Sequence, residues 1–140
     1  LPVHFVLHPA TRKRLAGSGE LARLESVPGI HLLPRLGYRA FLGLAANAAC
    51  VLTDGGSNQE ELSALGVPTL VMRERTERQD GLGANAMMEA DVPGGVAAFL
   101  ASGGYEALRR PSTLGEALGP SMFIARFLAG QAPPDPRAPT

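Results

Sequence analysis

The 140-residue chain has one cysteine, no tryptophan, no net charge and no long apolar run. With Cys50 alone, it has neither a disulfide framework nor a metal site built on cysteines. Thirteen basic residues balance thirteen acidic ones, so no broad electrostatic field draws the chain to nucleic acid or to an anionic membrane. No apolar stretch approaches the roughly 18 residues of a membrane span, and no signal-peptide pattern is present. We therefore predict a reduced, cytoplasmic protein that binds no nucleic acid and no membrane.

The two ends of the chain suggest where the domain lies. Residues 3–7 already read as a strand, without an initiator methionine or any lead-in, so we expect a piece of a longer protein cut at a domain boundary. Residues 131–140 are rich in proline and lack periodicity, which predicts a disordered tail. The intervening length, in a chain that is 45% hydrophobic, is enough to bury one core. We therefore assign residues 1–130 to one domain and expect an amino-terminal domain that this chain does not contain.

Short apolar runs alternate along the chain with segments at helical spacing. The runs predict strands at residues 3–7, 30–33, 50–53, 69–72 and 85–88. The longer segments predict helices at residues 11–24, 38–46, 58–65, 95–101 and 114–129. Near-continuous apolar strands that alternate with helices are typical of a parallel sheet covered on both faces. The sequence therefore predicts an α/β fold with a doubly wound, Rossmann-like parallel sheet.

The third predicted strand runs into two glycines. Gly55 and Gly56 permit backbone conformations that other residues avoid, and they let a ligand approach the chain closely. The residues that follow fit a capping box, with Ser57 as N-cap and Glu60 reaching back to it. The N–H groups and positive end of such a helix suit a phosphate or diphosphate. The same residues also make an ordinary strand-to-helix turn, so both interpretations stay open here.

Glu61 favours a nucleotide over a bare phosphate. It lies one position past the capping box, where its carboxylate would repel a phosphate unless it faces a sugar hydroxyl. A glutamate that accepts hydrogen bonds from vicinal ribose hydroxyls resolves this conflict, as the acidic residue does in dinucleotide sites. The carboxyl ends of parallel strands are where such ligands bind, and His8 and residues 73–80 also follow predicted strands.

Several strings along the chain resemble one family, the non-hydrolysing UDP-N-acetylglucosamine 2-epimerases. The most specific are "TDGGSNQEE" at residues 53–61, "LGVP" at 65–68 and "RERTER" at 73–78. Upstream, "HPATRKRL" at residues 8–15 and "LPRLGYRAFLGL" at 33–44 are similar to further family segments. The resemblance covers residues 3–100 and continues more loosely to 129. It implies two Rossmann-like domains in the GT-B arrangement, of which this chain would be the carboxyl-terminal, UDP-binding half.

The resemblance also implies roles for individual residues. Phe41 would pack against the uracil ring, and Glu61 would bind the ribose hydroxyls. The diphosphate would be lined by Gly55, Gly56 and Ser57. Many family members have serine where this chain has Gly55, so Ser57 would have to supply the missing hydroxyl. This departure leaves the nucleotide site in place and the sugar specificity open.

The implied reaction inverts C2 of the sugar by eliminating UDP to a glycal and adding UDP back. Arg78 would lie at the diphosphate or the sugar, and His8 would face the cleft as the general acid or base. We predict no metal and no cofactor. The family's catalytic carboxylates lie mainly in the other domain, so we expect this chain alone to be inactive. A homodimer of the full-length protein would suit the family.

Two other functions remain open at this point. A glycosyltransferase of the GT-B class would hold a nucleotide sugar through similar parts, although residues 76–78, "TER", favour the epimerase. A catalytically silent domain that binds a UDP-sugar is the other possibility, and Gly55 in place of serine favours it. Acidic residues facing the cleft from the missing domain would distinguish the epimerase from the silent domain.

Overall fold

The computed structural model describes residues 1–114 and 120–130, with the backbone alone at residues 120–123. The chain divides into two compact units, Leu1–Ala45 and Ala46–Thr140. The disordered tail predicted at residues 131–140 lies outside the described residues. The assignment of residues 1–130 to one UDP-binding domain stays a prediction.

The first unit is a pair of parallel strands with three helices. Its elements are β1 (Val3–Leu7), α1 (Pro9–Gly17), α2 (Glu20–Ser26), β2 (Ile30–Pro34) and α3 (Tyr38–Ala46). The strands pair in register from Val3 opposite Ile30 to Leu7 opposite Pro34. The exposed rings of His4 and His31, which share one register position, stack with centroids 5.1 Å apart. The predicted bounds of β1 and α3 are confirmed.

The single helix predicted at residues 11–24 is wrong, because two helices occupy this stretch. The first ends at Gly17, and the hydroxyl of its C-cap, Ser18, donates to the carbonyl of Leu15 at 3.2 Å. Gly19 follows with φ 78°, a left-handed conformation that no helix continues, and α2 starts at the next residue. The apolar residues keep their helical spacing across this break, but the serine-glycine pair interrupts the helical backbone.

The second unit is built on three parallel strands in the order β3-β4-β5. Its elements are β3 (Val51–Thr53), α4 (Ser57–Leu65), β4 (Thr69–Val71), β5 (Ala86–Met88), α5 (Val96–Ala101) and α6 (Pro120–Leu128), with 3₁₀ turns at Glu89–Asp91 and Gly104–Leu108. The helix predicted at residues 114–129 corresponds to α6, which is described over Pro120–Leu128, and residues 115–119 lie outside the described part. Parallel strands that alternate with helices confirm the predicted α/β class.

The core of the second unit lies under the middle strand. Leu70 is fully buried and packs in one cluster with Val92, Phe99 and Tyr105. Met87 of β5 is partly buried against this cluster. All three residues of β4 are buried, as a strand covered on both faces requires. In the described residues no helix has the length and apolar character to cross a membrane.

Cys50 precedes β3 and also packs against this core. Burial raises the pKa of its thiol from 9.0 to about 11, against the opposing charge of Arg109. A raised pKa lowers the thiolate fraction at a given pH, and the thiolate is the reactive form. At pH 8 we therefore expect iodoacetamide to modify the folded chain roughly a hundredfold more slowly than the urea-unfolded chain. Alkylation of the folded chain that reaches half its plateau rate near pH 9 would contradict this burial effect.

Candidate functional site

Residues 53–56, between β3 and α4, form a glycine turn. Gly55 has φ 93° and Gly56 has φ 77°, so both adopt the left-handed backbone that favours glycine, as predicted. The hydroxyl of Thr53 accepts a hydrogen bond from the N–H of Gly55 at 3.2 Å. This bond braces the turn from inside, because Thr53 is buried. The turn thus has a fixed shape and carries no side chain at its last two positions.

The predicted capping box at the start of α4 is wrong. Gly56 is the N-cap, and Ser57 is already the first helical residue. The reason is that Gly56, with φ 77° and ψ −149°, turns the chain into the helix one residue earlier than the serine signal indicates. A glycine N-cap has no side chain to accept from the first N–H groups of the helix. The N–H of Gln59 donates to the carbonyl of Gly56 at 3.1 Å, and the N–H groups before it precede any acceptor within a helix, so α4 offers donors and its positive end at the glycine turn.

Residues 73–80 form a loop after β4, and one buried side chain of α4 holds it. The amide nitrogen of Gln59 donates to the carbonyl of Arg78 at 3.1 Å and to that of Asp80 at 2.9 Å. The amide oxygen of Gln59 accepts from the hydroxyl of Thr76 at 3.1 Å. That hydroxyl also accepts from the N–H of Arg78 at 3.2 Å. The loop and the first turn of α4 therefore form one hydrogen-bonded unit.

Arg78 is brought to α4 by its side chain as well. Its guanidinium pairs with the carboxylate of Glu60, the residue expected to reach back to the N-cap. Both side chains are substantially exposed, at 35% and 50%, so the pair adds little to folding stability. Its effect is to place a cation beside the first turns of α4. Five predicted site residues thus belong to one connected region, namely Gly55, Gly56, Ser57, Glu61 and Arg78.

Two residues of this region were not predicted from the sequence. Gln59 was interpreted only as part of the capping box, although it lies three positions before buried Leu62 on the same helical face. Arg73 was given no role of its own, yet its Cδ lies 3.6 Å from where a Cβ on Gly55 would be. Its position in the sequence could have indicated this, because Arg73 comes just after β4, the strand next to β3, at the edge of the sheet where ligands bind.

The other two predicted site residues belong to the first unit. His8 is the N-cap of α1, and its Nδ1 accepts from the N–H of Ala10 at 3.2 Å. Accepting at Nδ1 leaves the proton of the neutral ring on Nε2, which can donate to a ligand. Phe41 lies in the first half of α3 and is half-buried. The roles assigned to both residues stay predictions. Across the described ranges no group of three or more metal-binding side chains occurs.

Comparison with known proteins points to one family. The family described as UDP-N-acetylglucosamine 2-epimerase matches residues 1–93. A UDP-N-acetylglucosamine 2-epimerase of Methanococcus maripaludis is 42% identical over 82 residues, which are 59% of this chain and 22% of that protein. One from Methanocaldococcus jannaschii is 40% identical over 86 residues, which are 60% of this chain and 24% of that protein. The chain therefore spans about a quarter of the length of these curated relatives.

The fold has solved counterparts of the same description. The crystal structure of the Methanocaldococcus jannaschii UDP-GlcNAc 2-epimerase in complex with UDP-GlcNAc and UDP matches 92% of this chain and 36% of its own. The TM-score is 0.69 and the sequence identity 29%. Such agreement extends beyond the 93 residues of the family match, so it covers the second unit as well as the first.

Proposed function

Because the chain belongs to the UDP-N-acetylglucosamine 2-epimerase family, we propose that it is the UDP-binding half of an enzyme that converts UDP-N-acetylglucosamine to its 2-epimer. The observation that carries this proposal is the connected region at the carboxyl ends of β3 and β4. There a glycine turn, a helix end without a side-chain cap and Arg78 gather within the segment that matches the family. An acidic residue for the ribose follows on the same helix.

The diphosphate of UDP is assigned to the glycine turn. Gly55 is buried beside Arg73 and shapes the turn, whereas nothing lies within 4 Å of the missing Cβ of Gly56, so phosphate oxygens approach the backbone N–H groups at the start of α4 there. Ser57 adds a hydroxyl in the first helical position, in place of the serine that Gly55 lacks. Arg78 supplies a guanidinium that matches phosphate oxygens in a two-pronged geometry. The diphosphate would thus be bound by three kinds of donor: backbone N–H groups, the hydroxyl of Ser57 and the guanidinium of Arg78.

The uridine is assigned to Glu61 and Phe41, and the sugar to His8. Glu61 lies one helical turn after Ser57, and its half-buried carboxylate accepts from the two ribose hydroxyls. Phe41 provides an aromatic ring for the uracil. His8 has a ring nitrogen already held by the backbone of α1, which fixes the imidazole for proton transfer at Nε2.

The reaction proposed for the full-length enzyme is elimination followed by addition. Loss of the proton from C2 and of UDP from C1 gives a glycal; UDP then returns to C1 while a proton adds to C2 from the opposite face, which inverts C2. The charge that develops on the leaving diphosphate is stabilised by the N–H groups of α4, by Ser57 and by Arg78. Carboxylates from the part of the enzyme outside this chain complete the proton transfers, so the chain alone is proposed to be inactive.

The full-length protein is further proposed to act in the cytoplasm as a homodimer. The one cysteine of this chain cannot form a disulfide within it, which suits a reduced compartment. Light scattering on the full-length protein measures the assembly state, and a monomer at micromolar concentration would contradict the dimer.

The first test is calorimetric titration of the chain with UDP, repeated on Glu61→Ala. We expect wild-type binding and a dissociation constant about tenfold weaker in the variant, because a carboxylate that accepts from two hydroxyls is lost. Glu106→Ala is the matched control, since Glu106 is an exposed carboxylate of the same unit that lies beside Ala49, ahead of the amino end of β3 and opposite the glycine turn. The control is expected to bind UDP as the wild type does.

The outcomes separate the candidate functions. Absence of UDP binding by a folded wild-type chain would contradict the proposed nucleotide site. Equal binding by wild type and Glu61→Ala would remove the ribose from Glu61. If the full-length protein binds UDP-N-acetylglucosamine but transfers the sugar to an acceptor, the GT-B transferase alternative is correct. If it binds and leaves C2 unchanged, the silent binding domain is correct.

A further inference from the structure

Gln59 is a buried carboxamide whose nitrogen and oxygen both make hydrogen bonds. It is 1% exposed, and its two N–H groups go to the carbonyls of Arg78 and Asp80. Its oxygen accepts from Thr76, so one side chain contacts three alternate residues of the 73–80 loop. These contacts join positions 17 to 21 residues apart in the sequence. The hydrogen bonds of this one side chain therefore order the 73–80 loop.

The two carbonyl oxygens that face Gln59 are compatible with an amide but not with the carboxylate of glutamate. Two carbonyl oxygens face the nitrogen of Gln59, and only a group with two N–H donors satisfies both. A carboxylate of the same shape would place an oxygen against these two carbonyls in a buried position. Burial makes such an unpaired and repulsive arrangement costly, so the loop backbone has to move away from α4.

Arg78 is held at both its ends by consecutive residues of α4. Gln59 fixes its carbonyl and, through Thr76, its N–H, while Glu60 pairs with its guanidinium. An exposed ion pair alone does not fix a long side chain, because its net free energy is small. The contact of Gln59 with the backbone therefore fixes the position of the Arg78 Cα, from which the side chain and its guanidinium extend. The same amide oxygen lies 3.7 Å from where a Cβ on Gly55 would be, next to the glycine turn.

We propose that Gln59 is a positioning residue for the diphosphate of the nucleotide. It holds the backbone of Arg78 so that the guanidinium stays beside the amino terminus of α4, ready for phosphate oxygens. This inference rests on the proposed function and deepens it, since it concerns how the same site is ordered before UDP arrives. Gln59 itself touches no nucleotide atom in this assignment, and it acts through Arg78.

The test compares Gln59→Glu with a chemically identical change elsewhere in the core. Asn85 is also a buried carboxamide, 3% exposed, and its nitrogen donates to the carbonyls of Leu62 and Val67 at 3.0 and 2.8 Å. Asn85→Asp therefore places the same charge and the same repulsion against two carbonyls without touching residues 76–80. Both variants lose stability, and this shared loss is the control for a purely structural role.

The two variants are expected to differ in binding of UDP but not of uridine. Gln59→Glu should weaken UDP binding about tenfold by calorimetry, as the loss of a charged hydrogen bond does, and leave uridine binding unchanged. Asn85→Asp should leave both affinities unchanged at a temperature where it is folded. In an Arg78→Ala background, Gln59→Glu should cost no further UDP affinity, because the group it positions is already absent.

A milder pair of variants serves if Gln59→Glu does not fold. Thr76→Val removes the hydroxyl between the amide of Gln59 and the N–H of Arg78, and Thr76→Ser keeps it. Thr76→Val should weaken UDP binding while Thr76→Ser restores it. Hydrogen exchange of the Arg78 amide should quicken in Thr76→Val without any ligand present.

Each result has one meaning. UDP binding by wild type that is unchanged in Gln59→Glu, or lowered equally in the Arg78→Ala background, overturns the positioning role and leaves the proposed function intact. Equal loss of UDP and uridine binding also overturns it, since the effect is then not specific to the diphosphate. A folded wild-type chain that binds no UDP overturns the proposed function itself.

Discussion

Replacing Gly66 with alanine is expected to lower the free energy of unfolding by about 3 kcal/mol, because two costs add. Gly66 ends α4 with φ 66°, a conformation in which an L residue is strained. A Cβ there would also lie 2.2 Å from the carbonyl oxygen of Arg110 and 2.7 Å from that of Pro111. These are backbone atoms, and the N–H of Arg110 itself donates to the carbonyl of Gly66 at 3.0 Å. Urea unfolding followed by circular dichroism measures the loss.

Gly83→Ala is the matched control for this substitution. Gly83 has φ 76°, close to that of Gly66, but nothing lies within 4 Å of its missing Cβ. Its replacement should therefore cost only the backbone term, about 1 kcal/mol. The difference between the two variants isolates the contact of α4's end with residues 110 and 111. Equal losses of stability in the two variants would show that residues 110–111 move away from Gly66 at no cost, which would contradict the close contact.

Replacing Arg78 with alanine is expected to raise the dissociation constant for UDP by on the order of a hundredfold, the effect of losing two charge-assisted hydrogen bonds. Folding stability should change little, because the guanidinium is partly exposed and its pair with Glu60 is a surface one. Calorimetric titration at low and high salt measures the effect. The wild-type affinity should fall as salt rises, and that of the variant should fall less.

Arg75→Ala is the control for the loss of a positive charge. Arg75 is exposed and belongs to the same loop, so its removal changes the net charge of the loop equally. It should reduce UDP affinity only slightly, through long-range attraction that salt screens. If both arginine variants lose the same affinity, the loop acts as a diffuse positive surface. Arg78 would then have no specific contact with the diphosphate.

Secondary structure was predictable where one local signal dominated. Strand β1 and helix α3 have the predicted bounds, since an apolar run and a helical period are both properties of neighbouring residues. The break between α1 and α2 was missed because apolar spacing continues across Gly19 while its backbone leaves the helix. At α4 the serine signal competed with Gly56, and the glycine backbone determined the first helical residue.

The site was predictable in its contiguous part. The glycine turn, Ser57 and Glu61 lie within nine residues, and the string they form is specific enough to indicate the family that comparison confirms. Arg78 was named as well, from a second string. The sequence pattern could not predict which charged side chains form ion pairs. Glu60 was expected to reach back along its own helix, and it pairs with Arg78 instead.

The sequence by itself determined the α/β class, most strands and helices, the glycine turn and the family, because each depends on residue types at short spacing. Only the tertiary structure decided that Gln59 orders the 73–80 loop, that Arg73 adjoins Gly55, and that Gly66 admits no side chain. These three facts depend on β4 pairing beside β3 and on residues 110–111 lying against the end of α4. Contacts between residues far apart in the chain follow from packing of whole elements, which no local pattern encodes.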